Sequence, residues 1–290
     1  MERDIQIGHA PWQLASTLTL PAGKGPFPAL VLVHGSGPQD RDERIGACTP
    51  FRDLAWGLAQ KGVAVLRYEK RTYAHHQACA ALDKLTVQEE TVSDAASALA
   101  SLRSVPEPEV DSHRIFVLGH SLGGYLLPRI AQAAPEGAGF IALAGSARPM
   151  EDLVLEQLRR QNAPGETIAA CEAEVAKIKA LDAQRPTVGF LLFAPASYWL
   201  DLKGYEPAQE AKRVHKPMML LQGEADCQVT LEDFRIWQQA LSTRKDVEFH
   251  RFPGLNSLFM RVTGKLRALN TASRGSTWPR TLSTISPNGC

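Results

Sequence analysis

The segment GHSLGG, Gly119–Gly124, carries the first candidate for chemistry, because it fits the pattern G-x-S-x-G. In that pattern a serine lies on a sharp turn between a strand and a helix, and the glycines remove side chains that would clash there. The run RIFVLGHS before it is typical of a buried strand, and LGGYLLPRIAQAA after it favours a helix. We therefore predict that Ser121 is a nucleophile and that the Leu122 amide, at the helix N-terminus, donates to an oxyanion.

A glycine-containing loop follows the first buried strand, ALVLVHG, and reads HGSGPQDRDE over His34–Glu43. Glycine allows backbone to approach a substrate carbonyl closely. Enzymes that carry a serine on a G-x-S-x-G turn take a second oxyanion donor from a loop at this point, so we assign the Ser36 amide, with Gly37 as its neighbour. The charged run at residues 40–43 is interpreted either as a solvated loop or as a network that anchors it.

An acid candidate follows the late strand MMLLQG, within LLQGEADCQV. Asp226 lies just beyond this strand end, where its carboxylate would accept the ring N–H of a catalytic base and stabilise the imidazolium. Glu224 is the competing carboxylate, and Asp226 fits the spacing better. The structural alternative is that Asp226 caps the helix at TLEDF, although Thr230 is the better cap.

The elements that must hold these residues alternate between strand and helix patterns along the chain, which predicts a mostly parallel sheet with helices on both faces. Residues 150–215 interrupt the alternation with helical segments, and we interpret them as a lid over the C-terminal edge of the sheet. Within that insertion, Tyr198 and Trp199 are candidate substrate-binding residues for an acyl pocket. The alternative is that they pack the insertion onto the sheet.

These motifs together resemble the α/β-hydrolase superfamily, in the bacterial branch of esterase, dienelactone-hydrolase-like and serine-aminopeptidase-like proteins. The resemblance rests on LVHGSGPQDRDE, FRDLAWGLAQKGVAVLRYEKRT, LGHSLGG and LQGEADCQVT, and it covers roughly residues 10–260. The order of Ser121 before Asp226, with a histidine to follow, is the triad order of α/β-hydrolases. The resemblance implies ester hydrolysis through an acyl-enzyme, with a small-molecule ester as substrate and without a metal or cofactor.

The same resemblance implies a histidine base in PGLNHLF after the last strand, whereas this chain reads PGLNSLF with Ser257 at that position. A hydroxyl cannot act as a general base near pH 7. His120 is expected to point away from the adjacent Ser121 hydroxyl. His250 is the one histidine near the required loop, within the strand run DVEFHRF, and is the remaining candidate for the base.

The last part of the chain differs in composition from the rest, because no Asp or Glu follows Glu248 while six Lys or Arg do. We predict one hydrolase domain over residues 1–260 and an atypical tail over residues 261–290. Back-translation of Gly275–Cys290 with chosen synonymous codons, read from the third base, gives EHVAPNVIDDIAEWL, an amphipathic helix pattern. The hypothesis is a reading-frame shift between about Met260 and Gly275, and a natural disordered tail is the alternative.

Composition limits the other classes of function. The 32 Lys and Arg balance 31 Asp and Glu, for a net charge of +1, which gives no reason to expect nucleic acid or an anionic membrane as partner. The five cysteines contain no C-x-x-C pair, so a zinc or redox motif is not expected. No leader pattern or long apolar run is present, and a cytoplasmic protein is predicted.

We therefore predict a serine carboxylesterase acting on small to medium acyl chains. The alternatives are a thioesterase or peptidase on the same scaffold, or a weakly active or inactive hydrolase-fold protein because of Ser257.

Overall fold

The computed structural model describes residues 1–82, 84–105, 109–184 and 189–262. Its strands are β1 (Glu2–Ile7), β2 (Leu14–Thr19), β3 (Phe27–Val33), β4 (Ala64–Tyr68), β5 (Val110–His120), β6 (Gly139–Leu143), β7 (Phe190–Leu191), β8 (Ala194–Pro195), β9 (Met218–Gly223) and β10 (Val247–Phe252). The α-helices are α1 (Pro50–Ala59), α2 (Arg71–Ala74), α3 (His76–Ala80), α4 (Ser93–Arg103), α5 (Leu122–Tyr125), α6 (Leu127–Ala133), α7 (Met150–Arg160), α8 (Gly165–Ala180), α9 (Ala196–Leu202), α10 (Pro207–Glu210) and α11 (Leu231–Ala240). A π-helical segment spans Gln88–Val92 before α4, and a 3₁₀ turn spans Ala211–Arg213.

Eight strands form the main sheet in the order β1-β2-β4-β3-β5-β6-β9-β10. The pairs from β4 to β10 are parallel, whereas β1 and β2 form the antiparallel edge. Parallel strands need crossover connections, and these place helices on both faces. The predicted α/β architecture with a mostly parallel sheet is confirmed.

The alternation of β3 shows how both faces are covered. Leu30 and Leu32 belong to a core cluster with Phe51 and Ala55 of α1, while Val31 and Val33 belong to the larger cluster that includes α4 and α6. Successive strand side chains point to opposite faces. The continuous apolar run in the sequence therefore reflects a strand buried on both sides, at the centre of the sheet.

A helical insertion lies between β6 and β9, comprising α7, α8, the short antiparallel β7–β8 pair, α9 and α10. Sequence reasoning predicted the helical segments at α7, α8 and α10, but neither α9 nor the β7–β8 pair. The Tyr205 hydroxyl, between α9 and α10, donates to the Tyr125 carbonyl of α5 at 3.1 Å. The Arg129 guanidinium of α6 bonds Asp201 at 2.9 Å and lies over the Tyr205 ring. These contacts fix the insertion onto the helices that follow Ser121.

The loop after β10 is described as far as Val262. The predicted difference in the tail, and the proposed frame shift, lie almost wholly outside the described residues. Among the described helices, none combines the length and the apolar character needed to cross a membrane.

Candidate active site

Ser121 lies on the sharp turn between the last residue of β5 and the first residue of α5. Its backbone has φ 48° and ψ −110°, in a region that is strained for a residue with a side chain. The Ser121 amide donates to the Leu143 carbonyl of β6 at 2.9 Å, which fixes the turn at the end of the sheet. The structure therefore has the strand, strained turn and helix that the motif predicts.

The two glycines that flank this turn allow backbone to touch backbone. A Cβ added to Gly119 would lie 2.2 Å from the Gly123 carbonyl oxygen, and one added to Gly123 would lie 2.5 Å from the Val33 carbonyl oxygen. The Gly123 amide also donates to the His34 carbonyl at 3.1 Å. The end of β3, and the loop that follows it, are thereby held against the Ser121 turn.

The predicted oxyanion loop lies directly beside Ser121. A Cβ added to Gly35 would be 3.3 Å from the Ser121 Cβ, so the backbone at Gly35 and Ser36 passes next to the serine. The Leu122 amide is the first of α5 and has no intrahelical acceptor. Both predicted oxyanion donors thus belong to backbone that adjoins Ser121.

The charged run after this loop forms an anchoring network rather than a solvated surface. The Arg41 guanidinium bonds Asp4 and Glu69, each at 3.1 Å. Asp42 bonds Arg67, whose side chain is almost fully buried in β4. The anchoring alternative from the sequence is the one that the contacts favour.

Glu43 ends this run and lies at φ 50° with its side chain buried. Its Oε1 accepts from the Gly35 amide at 2.6 Å, and its Oε2 lies 2.9 Å from His120 Nδ1. Burial opposes both charges, but mutual attraction outweighs it, so the pKa of Glu43 is lowered and that of His120 is raised. A charged Glu43–His120 pair therefore lies beside the nucleophile turn, and His120 does not serve as a free base.

Asp226 follows β9 and is held by three hydrogen bonds. Its Oδ1 accepts from the Gln228 and Val229 amides at 2.8 and 3.0 Å, and its Oδ2 accepts from Gln222 Nε2 at 3.1 Å. Burial raises its pKa to about 6 against the lowering effect of these bonds. Thr230 and Asp233 form the capping box of α11, so Asp226 is not that cap.

The competing carboxylate, Glu224, points elsewhere. Its Oε1 lies 3.6 Å from Arg251 Nε at the edge of the sheet, in a largely exposed pair. Asp226 is the buried carboxylate of this loop, which favours it over Glu224 as the orienting acid.

Ser257 lies between the nucleophile turn and the acid loop. Its side chain is 9% exposed, and its carbonyl accepts from His120 Nε2 at 3.0 Å. The two residues before it, Leu255 and Asn256, cover the end of β9, because a Cβ on Gly223 would be 2.3 Å from the Leu255 carbonyl oxygen. The Ala225 amide also donates to that carbonyl at 2.9 Å. The position at which the resemblance expects histidine is thus buried and held by backbone contacts, and it holds a serine.

His250, the residue named from the sequence as the remaining base, does not meet this need. It lies inside β10 on the outer edge of the sheet, and its side chain is 48% exposed. Its Nε2 lies 3.0 Å from Glu248 Oε2, two residues earlier on the same strand face. The structure therefore does not bring His250 to Ser121, because a side chain within a strand points out from a face of the sheet and not over the strand end.

Tyr198 and Trp199 pack the insertion instead of lining a pocket. Both side chains are almost fully buried in α9. The Tyr198 hydroxyl donates to Glu90 Oε2 at 3.0 Å, and Trp199 Nε1 donates to the Leu191 carbonyl at 2.9 Å. The packing alternative is the one observed, and the predicted substrate-binding role has no support.

Lys70 is the residue near the site that sequence reasoning missed. It is 2% exposed, and its Nζ donates to the Gly35 carbonyl at 2.9 Å. The available signal was a lysine two residues after the end of the buried strand β4, at the same sheet end as Ser121. Among the described residues, no cluster of His, Cys, Asp and Glu could hold a metal ion.

Comparison with known proteins agrees with this geometry. The family model described as "Alpha/beta hydrolase family" matches residues 30–262. The chain belongs to the α/β-hydrolase family.

One relative is Esterase EstD of Thermotoga maritima, which is 39% identical over 288 residues. The match covers 98% of this chain and 66% of EstD, so the chain spans slightly less than two thirds of that protein.

Solved structures share the fold. Est1E from Butyrivibrio proteoclasticus superposes with a TM-score of 0.59 at 15% identity, covering 88% of this chain and 90% of that one. The Pyrococcus furiosus esterase Pf2001 gives a TM-score of 0.57 at 14% identity, covering 87% of this chain and 82% of that one.

Proposed function

We propose that the chain is a serine hydrolase that cleaves carboxylic esters of small to medium acyl chains. The observation that carries this proposal is the strained Ser121 turn, held beside the Gly35–Ser36 backbone with the Leu122 amide at the start of a helix. This is the arrangement needed for attack on a carbonyl and for stabilisation of the resulting oxyanion. The relationship to Esterase EstD supports the choice of an ester.

In the proposed reaction the Ser121 Oγ loses its proton and attacks the ester carbonyl carbon. The Ser36 and Leu122 amides donate to the oxyanion of the tetrahedral intermediate. Collapse of the intermediate breaks the bond to the alcohol, which leaves with a proton, and an acyl group remains on Ser121. Water then attacks the acyl-enzyme, releases the carboxylic acid and restores the hydroxyl.

Proton transfer is the incomplete part of this mechanism. In this mechanism Asp226 would accept the N–H of an imidazole at position 257, but the chain has Ser257 there. Water must then take and return the proton, whereas a positioned base contributes about 10²–10⁴-fold. Oxyanion stabilisation and substrate binding alone still give about 10³–10⁴-fold over the uncatalysed reaction. We therefore propose slow turnover, with deacylation slowed as well as acylation.

A thioester or peptide bond would pass through the same acyl-enzyme, so thioesterase and peptidase activity are the alternatives on this scaffold. Ser257 favours one further alternative, a weakly active or inactive hydrolase-fold protein. We also propose a cytoplasmic location and a small-molecule substrate, on the basis of the balanced charge and the esterase relative.

The test is hydrolysis of p-nitrophenyl butyrate by the chain and by Ser121→Ala, with intact-mass measurement after mixing. We expect release of p-nitrophenol and a mass increase of one butyryl group, both absent from Ser121→Ala. Ser242→Ala, a change in an exposed turn, is the matched control and should behave like the unmodified chain. Equal hydrolysis by the chain and Ser121→Ala, without acylation, would reject Ser121 catalysis.

A further inference from the structure

A buried series of polar contacts joins the helical insertion to the oxyanion loop. The Tyr198 hydroxyl of α9 donates to Glu90 Oε2 at 3.0 Å, and Glu90 Oε1 lies 3.3 Å from Lys70 Nζ. Lys70 Nζ in turn donates to the Gly35 carbonyl at 2.9 Å. We call these four residues the Tyr198–Gly35 series. It connects two parts of the chain that are far apart in sequence.

The Gly35 carbonyl matters because it shares a peptide unit with the Ser36 amide. A trans peptide is planar, and its C=O and N–H point in opposite directions. The ammonium that holds the Gly35 carbonyl therefore also sets the direction of the Ser36 N–H. On the other side, the Gly35 amide donates to Glu43 at 2.6 Å. The Gly35 amide belongs to the preceding His34–Gly35 peptide, so Lys70 holds the peptide that carries the proposed oxyanion donor and Glu43 holds the peptide before it.

Burial of the Lys70 ammonium and the Glu90 carboxylate costs desolvation free energy. Lys70 is 2% exposed and Glu90 is 6% exposed. A buried ion pair contributes little net stability, because desolvation offsets much of the attraction. Thr72 Oγ1 also donates to Glu90 Oε1 at 3.1 Å, which helps to satisfy that carboxylate. A pair that adds little to stability but fixes an oxyanion donor is better explained by positioning than by stability.

We propose that Lys70 is a positioning residue for the Ser36 oxyanion donor, and that this positioning depends on the contact that Tyr198 of the helical insertion makes with Glu90. The inference rests on the proposed ester hydrolysis. In this account the insertion contributes to the reaction without contacting the substrate at Tyr198. Loss of the Tyr198–Glu90 contact itself alters the Ser36 N–H direction and therefore the rate.

The first experiment compares Tyr198→Phe with Ser197→Ala. Tyr198→Phe removes the hydroxyl bond to Glu90 and keeps the ring. Ser197→Ala is the matched control on the same helix, because it removes bonds to Leu85 at 2.9 and 3.2 Å without reaching Glu90. Hydrogen exchange of residues 34–43 is measured by mass spectrometry, and p-nitrophenyl butyrate hydrolysis is measured in parallel.

We expect Tyr198→Phe to accelerate exchange in residues 34–43 and to lower kcat about 3–10-fold with an unchanged KM, since one hydrogen bond is lost. Ser197→Ala should leave both measurements unchanged. Equal effects of the two variants, or no effect of Tyr198→Phe on either measurement, would overturn the coupling.

The second experiment uses Lys70→Arg and Lys70→Met. Lys70→Met should accelerate exchange in residues 34–43 and lower kcat by about 10²-fold, the cost of one oxyanion donor. Lys70→Arg keeps the charge, so its exchange rate in residues 34–43 and its kcat should lie between those of Lys70→Met and the unmodified chain. If Lys70→Met does not fold, Lys70→Arg and Tyr198→Phe still decide the outcome. Unaltered exchange in both of those variants rejects the inference.

Exchange is measured without substrate, so the inference is tested even if no ester is cleaved. Altered exchange with no Ser121-dependent hydrolysis would reject the proposed function and keep the structural coupling. Ser121-dependent hydrolysis, with exchange and kcat unaltered in the Tyr198 and Lys70 variants, would support the proposed function and reject the structural coupling.

Discussion

The turn that carries Ser121 and the loop that carries Ser257 meet at the same end of the sheet, but different contacts define them. The Ser121 turn is built from backbone touching backbone, at Gly119 and Gly123, in the centre of the sheet. The Ser257 loop is equally well seated, on Gly223 and on His120 Nε2. Its catalytic value, however, depends on one side chain. A fold can therefore keep the whole shape of a site while a single residue removes its proton transfer.

The largest expected effect concerns the link between the two regions. With Ser257→His in place, Asp226→Asn should lower kcat by about 10²–10⁴-fold, the gain that the imidazole brings, because the acid then orients that imidazole. In the unmodified chain the same Asp226→Asn change should alter kcat by less than about 3-fold, since there is no imidazole to orient. The measurement is p-nitrophenyl butyrate kinetics in both backgrounds. Equal losses in the two backgrounds would show that Asp226 acts without position 257.

The next effect concerns the intolerance of the Ser121 turn to added atoms. Gly119→Ala should lower the free energy of unfolding by about 3 kcal/mol or more, because its Cβ meets backbone that cannot move aside. Gly57→Ala in α1 is the matched control, since nothing lies within 4 Å of the added Cβ. It should raise stability by about 0.5–1 kcal/mol. Urea unfolding of both variants tests this, and similar midpoints would contradict the account.

A smaller effect is expected in the titration of Asp226. Burial of this carboxyl raises its pKa to about 6. Because this pKa lies above the ordinary aspartate value, the contribution to stability is full below about pH 4 and is lost as the pH rises through about 6. Ser257→His should lower the pKa of Asp226, since an imidazolium favours the carboxylate.

Carboxyl ¹³C NMR of the chain and of Ser257→His measures this titration directly. Exposed Asp111, whose bonds to Arg114 and the His113 amide lower its pKa, should titrate identically in both. An Asp226 titration that is the same in both proteins would show that a side chain at position 257 does not interact electrostatically with Asp226.

The smallest effect is expected at His250. His250→Ala should leave ester hydrolysis within about twofold, because an exposed side chain on the sheet edge is removed. The control is His120→Gln, which breaks the contact with the Ser257 carbonyl and should lower activity more. Loss of activity in His250→Ala comparable to that in Ser121→Ala would restore His250 as the base.

The parts of the site that sequence reasoning found are those with local, directional signals. Apolar runs ending in glycine located β3, β5 and β9, and their ends located the Ser121 turn, the Gly35 loop and Asp226. The misassigned residues depend on long-range packing. His250 was placed by proximity in sequence, although strand geometry directs it to Glu248.

Lys70 and Tyr198 illustrate the same limit from the other side. Tyr198 was predicted to be a pocket residue because it is aromatic, and Lys70 carried no prediction at all. Their buried contact with Glu90 is set by three segments meeting in the fold, and no local pattern encodes that meeting.

The most direct test of the central claim is kcat/KM for p-nitrophenyl butyrate in Ser257→His. The account holds that the site is complete except for an imidazole at position 257. It predicts a rise of about 10²–10⁴-fold, the contribution of a positioned base, and complete loss of that rise when Ser121→Ala is added. A folded Ser257→His protein with unchanged kcat/KM, or a rise that survives Ser121→Ala, would contradict it.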